Sequence, residues 1–106
     1  MKTVHLIVSA ELEWLEAVTW YEAKQEGVGF RFTQDVESLL AGLPSRQLRP
    51  LKGFERYGAK RVELGKPWPY RVIIVEDDST LFVVALEHHR RRPGYWTGRL
   101  REVDRA

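Results

Sequence analysis

Cysteine is absent from the 106-residue chain. Its absence excludes disulfides, thiolate metal sites and a cysteine nucleophile, and fits a reducing compartment. Long apolar runs are missing too. Val4, Leu6, Ile7 and Val8 are interrupted by His5 and followed at once by acidic residues. That stretch is too short for a signal-peptide core or a membrane span, so a cytoplasmic protein without a membrane segment is expected.

Several catalytic and cofactor signatures are also lacking: there is no Walker motif, no glycine-rich dinucleotide loop and no nucleophile elbow. Ser9, Ser38, Ser45 and Ser79 have no histidine at an informative spacing. His88 and His89 are adjacent, so on a strand they point to opposite faces and do not chelate one metal together. Glu76, Asp77 and Asp78 lack the spacing of a calcium loop and suit a hairpin turn. No metal and no cofactor is expected, and there is no internal repeat.

What is present is a globular composition, 43% hydrophobic and 30% charged, with 12 aromatic residues (four each of Phe, Trp and Tyr). This length supports one domain, 1–106, with a modest core. The net charge of +2 hides a division along the chain. Residues 1–45 carry three basic and seven acidic side chains, a balance of −4, and residues 46–106 carry fourteen basic and eight acidic, a balance of +6. A basic second half favours nucleic acid or an acidic protein as partner, although solvated charge on ordinary faces explains the count equally well.

Thr3 to Val8 reads as a strand. Ser9 offers an N-cap, and apolar residues at Trp14, Ala17, Val18 and Tyr21 predict a helix from Ala10 to about Gln25. Gly27-Val28-Gly29 breaks it. Phe32, Val36, Leu39 and Leu40 predict a second helix from Phe30 to Ala41, ended by Gly42 and Pro44. Pro44 to Gly58 reads as a basic loop, Ala59 to Leu64 as a weak strand, and Gly65 to Pro69 as a turn. Tyr70–Glu76 and Thr80–Glu87 are the clearest strands, joined by the tight turn Asp77-Asp78-Ser79. The second of these is apolar enough to be central. Tyr95 to Arg105 suggests a short terminal helix. The expected fold is α+β: an N-terminal strand, a helical hairpin, then an antiparallel sheet of three or more strands with the helices on one face.

The densest chemistry lies in Glu87-His88-His89-Arg90-Arg91-Arg92-Pro93-Gly94-Tyr95-Trp96. Arginines there supply phosphate contacts, histidine a group that titrates near neutrality, and the aromatics stacking surface. The plainer reading has Tyr95 and Trp96 anchoring the tail while the arginines are solvated. Arg71 is anomalous in an apolar strand and needs either a carboxylate, Glu63 on the neighbouring strand being one candidate, or an outlet to an open face. Arg49, Lys52, Arg56, Lys60 and Arg61 add a basic stretch that could join Arg71 and Arg91 in one cleft. Such a cleft could cleave RNA without metal, given a base for the 2′-hydroxyl, cations for the phosphorane and an acid for the leaving oxygen. A tyrosine or histidine beside arginines would have a depressed pKa suited to carrying the proton.

Taken in order, Trp20-Tyr21-Glu22, Gly27-Val28-Gly29-Phe30, Leu51-Lys52-Gly53, Pro69-Tyr70-Arg71-Val72-Ile73 and Val84 to Trp96 resemble the RelE/ParE superfamily of bacterial toxin–antitoxin toxins, over nearly the whole chain. The resemblance implies a type II (plasmid stabilisation) toxin held inactive by a cognate acidic antitoxin, as a homodimer or a toxin–antitoxin hetero-oligomer. RelE-like members cut messenger RNA on the ribosome; ParE-like members inhibit DNA gyrase and are not nucleases. By position, Arg71 resembles the arginine that holds the scissile phosphate, Arg91 the one that stabilises the transition state, and Tyr95 the C-terminal tyrosine. His88 is the other expected proton carrier, and Lys52 falls where catalytic lysines lie. Arg49, Lys52, Arg56, Arg61, Arg90 and Arg92 are the expected RNA contacts. Arg49 stands where some relatives carry a glutamate base. Ribosome-dependent messenger cleavage is the leading expectation; gyrase inhibition, or an inert antitoxin-binding member, is the alternative.

Overall fold

A computed structural model describes residues 1–104. The chain runs β1 (Thr3–Leu6), α1 (Val8–Lys24), α2 (Val28–Gly42), β2 (Arg49–Pro50), β3 (Lys60–Glu63), β4 (Tyr70–Glu76), β5 (Thr80–His88) and α3 (Leu100–Val103). The class is α+β, as the pattern of the sequence implies. The five strands form one mixed sheet in the order β1-β5-β4-β3-β2. Only β1 runs parallel to its neighbour, pairing Thr3 with Thr80 through Leu6 with Val83. Its apolar residues explain why β5 is central: Leu81 through Glu87 are all buried.

The first helix starts earlier than Ser9 implies. Ile7 is 1% exposed, and its N–H donates to the Val83 carbonyl at 3.1 Å while its own carbonyl accepts the first helical bonds from Ala10 and Glu11. Ile7 is therefore the N-cap, without a side-chain cap, and Ser9 lies inside the first turn. The Ser9 hydroxyl instead donates to Glu102 at 2.6 Å, tying α3 to the start of α1.

Gly27, with φ of 88°, makes the break between the helices, while Val28 and Gly29 belong to α2. Glu22 of α1 caps that helix, accepting the Gly27 and Gly29 N–H groups at 2.8 and 2.9 Å. A Cβ on Gly29 would lie 2.7 Å from the Val18 carbonyl oxygen, so glycine lets the two helices touch. Phe32, Val36 and Leu39 then face inward at helical spacing. Phe32 packs with Tyr21, Trp68 and Tyr70 at ring separations of 5.0, 5.0 and 5.3 Å.

The 51–58 connection and the tail meet each other through aromatic side chains. Trp96 is fully buried against Phe54 and Tyr57, at 5.4 and 6.0 Å. The Pro44–Gly58 region read as loop contains β2 and two 3-10 turns, and the tail a 3-10 turn followed by α3. Arg105, the expected end of the tail helix, lies outside the described residues. Among the described residues no helix is long and apolar enough to cross a membrane.

Candidate functional site

Alternation along β4 and β5 sorts the candidate residues between two surfaces. Tyr70 pairs with His88, and Arg71 with Glu87. Tyr70 and His88 face the helices; Arg71 and Glu87 therefore face the other way. Arg71 donates from Nε to Oε1 of Glu87, which is 1% exposed. Its terminal guanidinium nitrogens have no partner among the described residues. Glu63, the expected partner, stands opposite Arg71 on β3. It accepts instead from Arg61 at 3.5 Å and bonds His89 Nε2 at 2.8 Å. On the same face Arg49 sits directly opposite Arg61. Lys52 and Arg56 are exposed in the adjoining connection, where Arg56 donates to the Tyr57 hydroxyl at 2.8 Å.

The helix side holds a cleft of about 590 Å³ between α1 and the ends of β4 and β5. Trp20, Tyr21 and Tyr70 give it aromatic walls, Glu13 and Glu16 acidic ones, and His88 and Arg91 lie at its rim. His88 stacks edge-on to Tyr70 at 5.1 Å. Its Nδ1 accepts the Arg90 backbone N–H at 3.0 Å. A backbone N–H only donates, so Nδ1 is unprotonated and Nε2 carries the hydrogen of the neutral ring. Burial, and then the positive charges of Arg90 and His89, hold the His88 pKa below its ordinary value.

Arg91 is exposed and lies over the Tyr95 ring at 3.9 Å. The Tyr95 hydroxyl donates to Glu13 at 2.6 Å. Burial, reinforced by the bond to Glu13, pushes the Tyr95 pKa well above the phenol range despite Arg99 and Arg91. The expectation of a lowered tyrosine pKa is therefore corrected: desolvation outweighs the neighbouring arginines. His88 does shift downward, but chiefly through burial, with Arg90 adding to it.

Glu13 carries no signal in the sequence beyond its place in the first helix, yet it gathers four bonds. It accepts the Leu86 N–H at 3.0 Å, the Tyr95 hydroxyl, and the Arg99 guanidinium through both terminal nitrogens at 2.7 and 3.1 Å. Arg99 also donates to the Val84 carbonyl at 3.2 Å. Past the end of β1, the backbone edge of β5 is thus closed by side chains of α1 and the tail rather than by a strand.

Two of the four proposed catalytic residues, His88 and Arg91, line one cleft; Tyr95 adjoins it through Arg91 and Glu13, whereas Arg71 lies across the sheet. The single cleft expected to unite Arg49, Lys52, Arg56, Lys60, Arg61, Arg71 and Arg91 is not formed; Lys60 is bonded to Glu76. Alternation assigns Arg49 and Arg61 to the Arg71 face. Arg90 and Arg92 are exposed in the turn after β5. Trp96 is core, in agreement with the anchoring reading. Among the described residues no group of three or more histidines and carboxylates could hold a metal. Compared with protein-family models the chain matches none, and no curated protein matches it either.

Proposed function

We propose that the chain is a RelE/ParE-type toxin of a two-gene toxin–antitoxin module, acting in the cytoplasm by binding DNA gyrase, as the ParE-like branch does, rather than by cutting messenger RNA. The observation that carries the choice is the state of its proton-transfer groups. Cleavage at a 2′-hydroxyl needs a base and an acid beside cations that hold the same phosphate. The Tyr95 hydroxyl is held by Glu13 with its pKa raised, and the His88 lone pair accepts a backbone N–H. Arg71 is on the other sheet face, bound to Glu87. A toxin that works by docking requires none of these groups to move protons. Its antitoxin would be an acidic segment lying along the face that carries Arg49, Arg61 and Arg71.

One feature favours the cleaving alternative: Arg71 presents two unpaired guanidinium nitrogens on the sheet face that alternation also gives Arg61 and Arg49, a fit for phosphate. The test is to induce the chain without an antitoxin in a bacterial host. The same culture is then scored for growth, broken chromosomal DNA trapped on gyrase, and new messenger ends. Growth arrest with trapped gyrase and unchanged messenger is expected. Normal growth would remove the toxin assignment, and arrest with new messenger ends would move the chain to the RelE-like branch.

A further inference from the structure

The first helix is apolar on two sides. Ala10 and Ala17 are buried against the sheet. At 3.6 residues per turn, Val8, Leu12, Leu15 and Thr19 fall within an arc of about 60° on the opposite side. Val8, Leu12 and Leu15 are 65%, 53% and 62% exposed. Scattered exposed leucines are ordinary on a protein surface, but the 4-3-4 spacing is that of a helix–helix seam.

The rims of this seam are acidic. The helix carries Glu11, Glu13, Glu16 and Glu22 against one basic residue, Lys24. Glu13 and Glu22 are consumed by the Tyr95–Arg99 cluster and the cap of α2, and Lys24 lies over Trp20 at 5.0 Å. Glu11 and Glu16, flanking the seam on either side, have no ion-pair partner among the described residues. A second copy of the chain suits this surface poorly. In a two-fold pairing of α1 with itself the second helix brings only the same acidic rims, and its one cation, Lys24, lies over Trp20 rather than beside the seam.

We propose that the exposed face of α1 docks an amphipathic helix of a partner protein whose apolar seam is bordered by lysine or arginine. Apolar burial supplies the affinity; Glu11 and Glu16 select the sign of the flanks. The surface is opposite in charge to the arginine-bearing sheet face, so a partner covering both would carry one basic helix and one acidic segment. The proposal does not depend on the target of the toxin reading.

The probe is a synthetic helix of about 18 residues with leucine at seam spacing and lysine on both flanks. It is titrated against the full chain and followed by backbone NMR shifts, beside a peptide of the same design with glutamate flanks. The lysine peptide should shift α1 residues around Leu12 and Leu15 and bind about tenfold or more tighter than the glutamate peptide. Leu12→Ser with Leu15→Ser, at exposed positions, should weaken it by a similar factor while far-UV circular dichroism stays unchanged. Glu11→Gln with Glu16→Gln should keep binding but erase the preference between peptides. Equal affinity for both peptides, or binding indifferent to the serine pair, would overturn the proposal. So would a concentration-dependent dimer that the serine pair dissolves, which would give this face to a second copy.

Discussion

Arg71 meets Glu87 because β5 has one residue more than β4 between the pairs Ile74–Val83 and Ile73–Ala85. The register runs Ile74 with Val83 but Ile73 with Ala85, leaving Val84 as a bulge. Counting back from the Asp77–Thr80 turn without that bulge would set Arg71 against Leu86. One extra residue thus moves the guanidinium onto the carboxylate. It also leaves the Val84 carbonyl to Arg99.

Removing Arg71 has a structural consequence that comes before any functional one. Arg71→Ala strands the Glu87 carboxylate in a site 1% exposed, where one of its oxygens already lacks a protein partner. Loss of about 3 kcal/mol is expected, the low end for a broken buried pair because Arg71 itself is partly exposed. Arg71→Leu combined with Glu87→Leu should recover most of it. Urea unfolding of Arg71→Ala and of the four members of the leucine cycle reads both values. A drop in activity for Arg71→Ala alone therefore does not report a phosphate contact.

Glu13 holds the tail to the sheet. Glu13→Ala leaves the Arg99 guanidinium and the Leu86 N–H without their acceptor, and should cost about 3 kcal/mol. Hydrogen exchange should accelerate at the Leu86 amide more than at amides in the β3–β4 ladder. Tyr95→Phe, which removes one of the four bonds, should cost about 1 kcal/mol.

Two helical glycines should respond in opposite directions. At Gly29 an added Cβ meets the Val18 carbonyl and Glu22, so Gly29→Ala should destabilise by about 1–3 kcal/mol. At Gly42 nothing lies within 4 Å and the backbone is helical. Gly42→Ala should stabilise by about 0.4–1 kcal/mol through the unfolded state. Thermal unfolding of the two variants beside the parent checks the signs.

Glu76 should set part of the acid stability. Hydrogen bonds from Lys2 and then Lys60, each 2.7 Å long, hold its pKa below the ordinary 4.5. The unfolded chain binds the proton more readily, so this contribution is complete above pH 4.5 and is lost as pH falls through the lower folded value. His88 behaves similarly at higher pH. Its folded pKa is below 6.5, so stability falls as pH drops from 6.5 toward the folded value and then levels. Glu76→Gln should flatten the acid limb and His88→Gln the limb below 6.5, both measured by denaturant midpoint against pH.

The sequence carried the architecture because the apolar periods are strong. Phe32, Val36 and Leu39 report a helix face, and the unbroken run of β5 reports a strand buried between neighbours. It did not carry the division of the cationic residues. A bulge has no clear local signature in Leu-Phe-Val-Val-Ala, and a one-residue slip decides whether Glu87 or Leu86 lies opposite Arg71. Glu13 was illegible for another reason. Its partners Leu86, Tyr95 and Arg99 lie more than seventy residues away, and a glutamate in the N-terminal half of a helix already has a sufficient explanation in the helix dipole. Tyr95 itself was findable, but its chemistry turns on burial, which residue order does not display.

The central claim is that the protein acts by binding and does not cut RNA. It is tested most directly in a cell-free translation reaction with the purified chain added and messenger ends mapped by primer extension. The account predicts the same set of ends with and without the protein. New ends within the ribosomal A site, lost when Arg91→Ala or Tyr95→Phe replaces the parent chain, would contradict it.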